Sequence, residues 1–354
     1  MEGEKYPLHV GDTWLEPAPG CAVEDVLAEE HPGIHRYADP HGHPLLLEAL
    51  EEDSGADRSR ILVTAGCTGA LGAVAGASLD PGDEVAILAP FWPLIRGIVR
   101  SNRGRAVEVP YYLEDGTARD RIERHLTERT AAIYVNTPNN PTGRVLCRED
   151  LAGIAALARE RGLWLWADET YERHAYVGNH LRLAEFAPER TFTARSFSKT
   201  WGMAGYRVGC VVGPEDPAMT AEVRKIATHT FYSAPTPSQI AAARVLAGGG
   251  DWLAESRRIY AETGAAAAEL LGMPAPEGGT FLFADASAAV RELGMDGLLE
   301  ECLRNNLLIA PGSACGEDFG AYVRVCFTSV RPDVALRGIE RLGRILRREP
   351  RRPF

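Results

Sequence analysis

Thr193-Ala-Arg-Ser-Phe-Ser-Lys-Thr-Trp-Gly-Met-Ala-Gly-Tyr-Arg-Val-Gly209 surrounds one lysine with small hydroxylated residues and glycines. Ser196, Ser198 and Thr200 flank Lys199, and Arg207 follows it by eight positions. An amine among short polar side chains can form a Schiff base with a carbonyl compound. Ser196, Ser198 and Arg207 can hold a dianion such as phosphate through charge-assisted hydrogen bonds. A lysine alone in such a loop reads far more readily as a surface cation, so the neighbouring stretches decide.

Around this run the chain alternates short apolar segments with longer helical ones. Strands are expected over Ile61–Thr64, Glu84–Leu88, Ala106–Val109, Ala131–Val135, Leu163–Ala167, Thr191–Ala194 and Val208–Val212. Helices are expected over Leu45–Glu52, Ala70–Leu79, Arg119–Leu126 and Arg148–Arg161. Near-continuous apolar strands alternating with helices predict an α/β fold, a large domain whose mostly parallel sheet is sandwiched by helices. After Gly213 the pattern changes. Helical periodicity covers Pro217–Thr228 and Gln239–Leu271, broken near Gly248–Gly250, and Pro274–Gly279 reads as an inter-domain passage. Strand-like Phe281–Phe283, Leu307–Ile309 and Tyr322–Phe327 among helices predict a smaller α+β domain. The expected division is an N-terminal segment over 1–40 packing with the small domain, a large domain over 41–245, and a linking helix with the small domain over 246–354. Within that segment Leu8–Asp12 reads as a short extended stretch.

At 354 residues the chain exceeds the usual size of one core. The net charge of −11 argues against nucleic acid or an anionic membrane as a partner. Seven cysteines lack any metal-ligand spacing and read as reduced thiols of a cytoplasmic protein, with no metal expected. No apolar run approaches about 20 residues, so no span is expected. Met1–Lys5 has no apolar core, so no signal peptide is expected, and the basic run Arg347–Arg352 reads as a solvated end.

Four further stretches supply chemistry. Thr64-Ala-Gly-Cys-Thr-Gly-Ala-Leu71 opens a helix after a strand, where free N–H groups, the Thr68 hydroxyl and the helix dipole make an anion seat. Ala89-Pro-Phe-Trp-Pro93 puts Trp92 at a strand end, to stack on a planar ring or to pack in the core. Asn136-Thr-Pro-Asn-Asn-Pro-Thr-Gly143 offers the Asn140 amide as a donor. Trp166-Ala-Asp-Glu-Thr-Tyr171 places Asp168 after an apolar strand, where it either caps a helix or pairs with a protonated ring nitrogen, with Tyr171 close by. Asn140, Asp168 and Lys199 are spaced 28 and 31 residues apart, each after an expected parallel strand, so all converge on one sheet edge.

Asn-Asn-Pro-Thr-Gly, Asp-Glu-Thr-Tyr and Ser-Phe-Ser-Lys with its following arginine resemble the class I/II aminotransferases of the fold-type I pyridoxal-phosphate enzymes, over about Leu8 to Leu346. The resemblance implies pyridoxal 5'-phosphate as cofactor and amino transfer from an L-amino acid to a 2-oxo acid, in two half-reactions through pyridoxamine phosphate. It implies that Lys199 carries the cofactor as a Schiff base and moves the substrate proton. Asp168 would keep the ring nitrogen protonated, Asn140 and Tyr171 would bond the phenolic oxygen, and Trp92 would stack on the ring. Cys67 through its backbone, Thr68, Ser196, Ser198 and Arg207 would hold the phosphate. Arg324 matches the arginine that binds the substrate α-carboxylate, and Gly11 a glycine whose backbone faces the substrate. Tyr37 matches a tyrosine that reaches the phosphate of the neighbouring subunit, which implies a homodimer. No second arginine for a side-chain carboxylate is identified, and His9, Asp12, Trp14 and His229 are candidates for the side-chain pocket. A β-lyase, a decarboxylase or a cyclising enzyme would share the same apparatus.

Overall fold

The protein is described by a computed structural model over residues 3–347. Strand β1 (Tyr6–Pro7) precedes the first helix, α1 (Pro44–Ser54). Then follow β2 (Ile61–Thr64), α2 (Gly66–Ser78), β3 (Glu84–Leu88), α3 (Leu94–Ser101), β4 (Arg105–Val109), α4 (Ala118–Glu123), β5 (Thr130–Asn136), α5 (Arg148–Arg161), β6 (Trp164–Asp168), β7 (Thr191–Ser196), α6 (Phe197–Thr200) and β8 (Gly209–Val212). The strands of this region form one sheet in the order β2-β8-β7-β6-β5-β3-β4. Alternate residues leave it on opposite faces. Ala132, Tyr134, Trp166 and Phe192 pack under α2 and α3, whereas Ile133, Val135, Leu165 and Ala167 pack under α4 and α5. Both faces are covered, which is why these strands read as unbroken apolar runs.

Helix α5 illustrates the local logic. Leu151, Ile154, Ala155, Leu157 and Ala158 fall on its buried face, and Glu149 and Asp150 in the first turn with Arg159 and Arg161 in the last complement its dipole.

The rest of the chain comprises α7 (Pro217–Thr230), α8 (Thr236–Gly248), α9 (Gly250–Leu271), β9 (Phe281–Asp285), α10 (Ser287–Arg304), β10 (Leu307–Leu308), β11 (Ala310–Pro311), β12 (Tyr322–Cys326) and α11 (Pro332–Leu346). Strands β11-β12-β9 form a small antiparallel sheet. Its apolar side shares a second core with α9 and α11, and Tyr6 and Leu8 enter that core. The expected α/β class stands.

The sheet is mostly parallel, as expected; β8 alone runs antiparallel to both neighbours, because the chain turns back at α6 and the left-handed Arg207 (φ 54°) instead of crossing the sheet through a long helix. Three expectations change. The helix expected from Ala70 already begins at Gly66, so the glycine-rich turn is its first turn. Leu8–Asp12 is not a strand; the N-terminal pairing is Tyr6–Pro7 against Leu307–Leu308, which also shortens the strand expected over Leu307–Ile309. The helix expected over Arg119–Leu126 closes at Glu123. The basic run beyond Arg347 lies outside the described residues. No helix among the described residues is long and apolar enough to cross a membrane.

A buried ion cluster ties α1 to the end of β7. Arg195 Nη2 lies 2.5 Å from both Asp53 Oδ2 and Glu172 Oε1, and Arg173 pairs with Asp53. Burial alone would raise both carboxyls, but Arg195, with Arg173 beside Asp53 and Arg182 beside Glu172, holds them below their ordinary range. A carboxyl depressed by folding stabilises the fold above its unfolded pKa, near 4. That stability is lost as pH falls through the lower, folded values. Arg195→Met removes the cation shared by two buried carboxylates, leaving Asp53 to Arg173 and Glu172 to Arg182, and is expected to lower stability by about 3 kcal/mol at pH 7. With one cation fewer, burial counts for more and both carboxyls move upward, so the deficit should shrink as pH falls toward 5. Urea unfolding at the two pH values checks this, and an equal deficit at both would contradict it.

Candidate active site

Neighbouring strands β5, β6 and β7 end at Asn136, Asp168 and Ser196, on the carboxyl edge where parallel sheets present ligands. Asn136 stands opposite Asp168 in the ladder. Its Nδ2 donates to the Asp168 carbonyl at 2.9 Å, and its Oδ1 accepts the Asn140 N–H at 2.7 Å. The loop after β5 is thereby stitched to the end of β6, which carries Asn140 over the edge.

A cavity of about 160 Å³ opens there. Lys199, Asp168, Asn140, Tyr171, Trp92, Cys67, Thr68, Ser196, Ser198 and Arg207 all line it, together with Asn136, Thr170 and Ala204. One end is built for an anion. The N-cap of α2, Ala65, makes no side-chain cap, and the first N–H groups of the helix have no side-chain acceptor among the described residues. Arg207 donates to the Ala204 carbonyl at 2.8 Å and lies 3.4 Å from Ser198 Oγ. Gly66 beside it has the left-handed backbone (φ 72°) that favours glycine, and a Cβ there would also push the end of the Arg207 side chain aside.

The opposite end is built around Asp168, which is 4 % exposed. Its Oδ2 accepts the Tyr134 hydroxyl at 2.6 Å, and its Oδ1 accepts the Thr170 N–H at 3.2 Å and the Cys67 thiol at 3.6 Å. Burial pushes the Asp168 carboxyl above its ordinary value, and the Tyr134 and Thr170 hydrogen bonds oppose it. The Cys67 side chain thus serves the end opposite to the one its backbone was expected to serve.

Lys199 lies between the two ends. Its ammonium donates to the Gly11 carbonyl. Burial lowers its pKa, and Arg207 and Arg324 add to that while Asp12 opposes it. Tyr171 is buried, with its ring edge-on to Phe281. Burial pushes its phenol upward, so it remains a donor.

Arg324 stands just beyond the cavity lining. It donates to Asn140 Oδ1 at 3.0 Å and to the His9 carbonyl at 3.1 Å, and its guanidinium lies over the Phe281 ring at 4.4 Å. Its buried Nε has no hydrogen-bond partner among the described residues. Gly11 must be glycine, since a Cβ would collide with the same Phe281 ring. Within the single chain Tyr37 is not brought to the site. It is 89 % exposed, with its ring 5.1 Å from Tyr232.

The family model described as aminotransferase class I and II matches residues 7–342. The chain belongs to that family. The aminotransferase is 32 % identical over 338 residues to an aspartate/prephenate aminotransferase of Thermus thermophilus, covering 89 % of this chain and 84 % of that one. It is 31 % identical over 343 residues to an arginine–pyruvate transaminase of Pseudomonas aeruginosa, covering 90 % and 84 %. The solved aromatic aminotransferase of Pyrococcus horikoshii superposes with a TM-score of 0.87 at 28 % identity, covering 98 % and 96 %. The class I and II aminotransferases use pyridoxal 5'-phosphate. Sequence reasoning gave no role to Tyr134, Asn136 or Thr170. The period-two pattern of β5 puts Tyr134 and Asn136 on one face, but a tyrosine in an apolar strand reads as core.

Proposed function

We propose that this aminotransferase uses pyridoxal 5'-phosphate to move the amino group of an L-amino acid to a 2-oxo acid in two half-reactions, with Lys199 as the proton carrier. The observation that carries this reading is one cavity that joins a desolvated amine, a buried carboxylate and an anion seat. That donor set fits the cofactor: hydroxyls, Arg207 and a helix start suit a dianion, and Asp168 suits a basic ring nitrogen. When bound, the cofactor supplies an electrophilic aldehyde and a heterocyclic sink for the electrons of the substrate carbon.

Thr68, Ser196, Ser198, Arg207 and the Cys67 N–H would bind the phosphate, and Trp92 would cover the ring. Asp168 would hold the proton on the ring nitrogen. Asn140 spends its Oδ1 on Arg324, leaving its amide N–H groups, with the Tyr171 hydroxyl, for the phenolic oxygen. Desolvation favours the neutral Lys199 amine, whose Nζ would take the proton from the substrate α-carbon and hold it for return. Gly11 gives the substrate close access to the backbone. Residues 41–245 carry the cofactor and residues from 246 onward form the small domain; of the segment 1–40, Tyr6 and Leu8 pack with the small domain as expected, whereas Ala18 and Cys21 pack against α1, β2 and β8 of the large one. The exposed Tyr37 reaches the partner's phosphate in a homodimer, in the cytoplasm. A monomer sedimenting at micromolar concentration would remove that part.

Reconstituted enzyme offered each common L-amino acid tests the reaction. The expected result is one equivalent of a 2-oxo acid from a matching amino acid, rising to many equivalents once an acceptor oxo acid is added. Release of ammonia or carbon dioxide would reassign the enzyme to a lyase or a decarboxylase. Arg324 is expected to act on the substrate alone. Arg324→Lys loses the two-pronged grip on the α-carboxylate and should raise KM about 10- to 100-fold. The dissociation constant for the cofactor should stay within about twofold, and an equal loss of both would mean that Arg324 does not serve the carboxylate.

A further inference from the structure

Asp168 is held by donors from three places in the fold, and the strongest of them has no part in the chemistry above. Tyr134 lies two residues before the end of β5, on the sheet face under α2, and is 1 % exposed. In the ladder it stands opposite Trp166, one pleat below the Asn136–Asp168 pair, so its hydroxyl reaches along the strand direction to Oδ2 at 2.6 Å. An O–H···O⁻ contact of that length is in the charge-assisted range. Its companions are weaker: a thiol is a poor donor, the Thr170 N–H contact is long at 3.2 Å, and the Thr170 side chain lowers the carboxyl less than Tyr134 does.

We infer that Tyr134 is a positioning residue that acts through Asp168, fixing the plane and the basicity of that carboxylate so that the shared proton stays on the cofactor's ring nitrogen. This rests on the reading that Asp168 faces that nitrogen. A buried carboxylate with few donors is a strong base and draws a shared proton to itself. A hydrogen bond to its charged form weakens it as a base and leaves the proton on nitrogen. Tyr134 can do this at any working pH. Its phenol is pushed far up, by burial first and by Asp168 next, so it remains a donor.

Tyr134→Phe keeps the ring in the core and deletes the hydroxyl alone. The measurement is the dissociation constant of the apoenzyme for pyridoxal 5'-phosphate and for its carbocyclic analogue, in which C–H replaces the ring nitrogen. A purely structural tyrosine would change both equally. The inference requires the preference for the natural cofactor over the analogue to fall about tenfold. The ring-nitrogen 15N resonance of the loaded variant should also move toward the unprotonated pyridine position. An unchanged preference, or an unmoved resonance, overturns it. Should Tyr134→Phe fail to fold, 3,5-difluorotyrosine at position 134 keeps the ring and strengthens the donor, and must increase the preference; an unchanged value overturns the inference as well. If the parent enzyme itself shows no preference, the cofactor reading fails instead, so the two failures are distinguishable.

Discussion

Lys199→Ala is expected to reduce turnover by at least about 10⁴-fold, since it removes both the covalent anchor and the general base. The chain makes this unusually clean to check, because its only lysines are Lys5, Lys199 and Lys225. Lys5 is exposed, and Lys225 is exposed and paired with Glu222 at 2.6 Å. Lys199 alone is enclosed in the cavity, where burial favours its neutral, nucleophilic form. Borohydride reduction of the loaded enzyme, followed by peptide mass mapping, should place the cofactor on Lys199 and nowhere else. In Lys199→Ala the label should vanish. The dissociation constant for inorganic phosphate, measured on the apo form, should stay within about threefold, because Thr68, Ser196, Ser198 and Arg207 do not depend on the amine. A label on Lys225 in the parent enzyme, or retained activity in the variant, would remove the amine from the mechanism.

Much of this site was legible because its parts follow from position along the chain. A parallel strand delivers its last residue to the same edge as its neighbours, so Asn140, Asp168 and Lys199 could be gathered from spacing alone. The anion seat was legible for a similar reason: small residues opening a helix leave N–H groups free whatever the rest of the fold does. What stayed hidden depends on where side chains meet across strands. Tyr134 and Asp168 are 34 residues apart, and only the β5–β6 register sets the hydroxyl against the carboxylate. The turn of the Cys67 thiol toward Asp168 depends likewise on how α2 seats against the sheet. The reversal of β8 was hidden because an apolar run buried on both faces reads the same in either direction. Contacts between segments far apart in the chain, such as the hydrogen-bonded pair Thr13 and Tyr260, were hidden for the same reason as the Tyr134 contact.

Asp168→Ala should separate catalysis from stability more sharply than any other change in the site. Without the carboxylate nothing retains the proton on the ring nitrogen, and the sink loses the charge that draws electrons from the substrate carbon. Turnover is expected to fall by about 10³-fold or more, the size associated with losing a pre-organised charge partner at the reacting centre. Stability should respond differently. The substitution strands the Tyr134 hydroxyl and the Thr170 N–H, at about 1–3 kcal/mol for each buried donor left unpaired. It also relieves the desolvation of a carboxyl that burial already pushes above its ordinary value, which acts in the opposite direction. The two contributions are of similar size, so the apo chain should unfold within about 2 kcal/mol of the parent. Asp168→Asn should fall on the same side, because an amide accepts the Tyr134 hydroxyl but carries no charge to hold a pyridinium. Turnover within tenfold of the parent in either variant, with the fold intact, would mean that the carboxylate does not face the ring nitrogen.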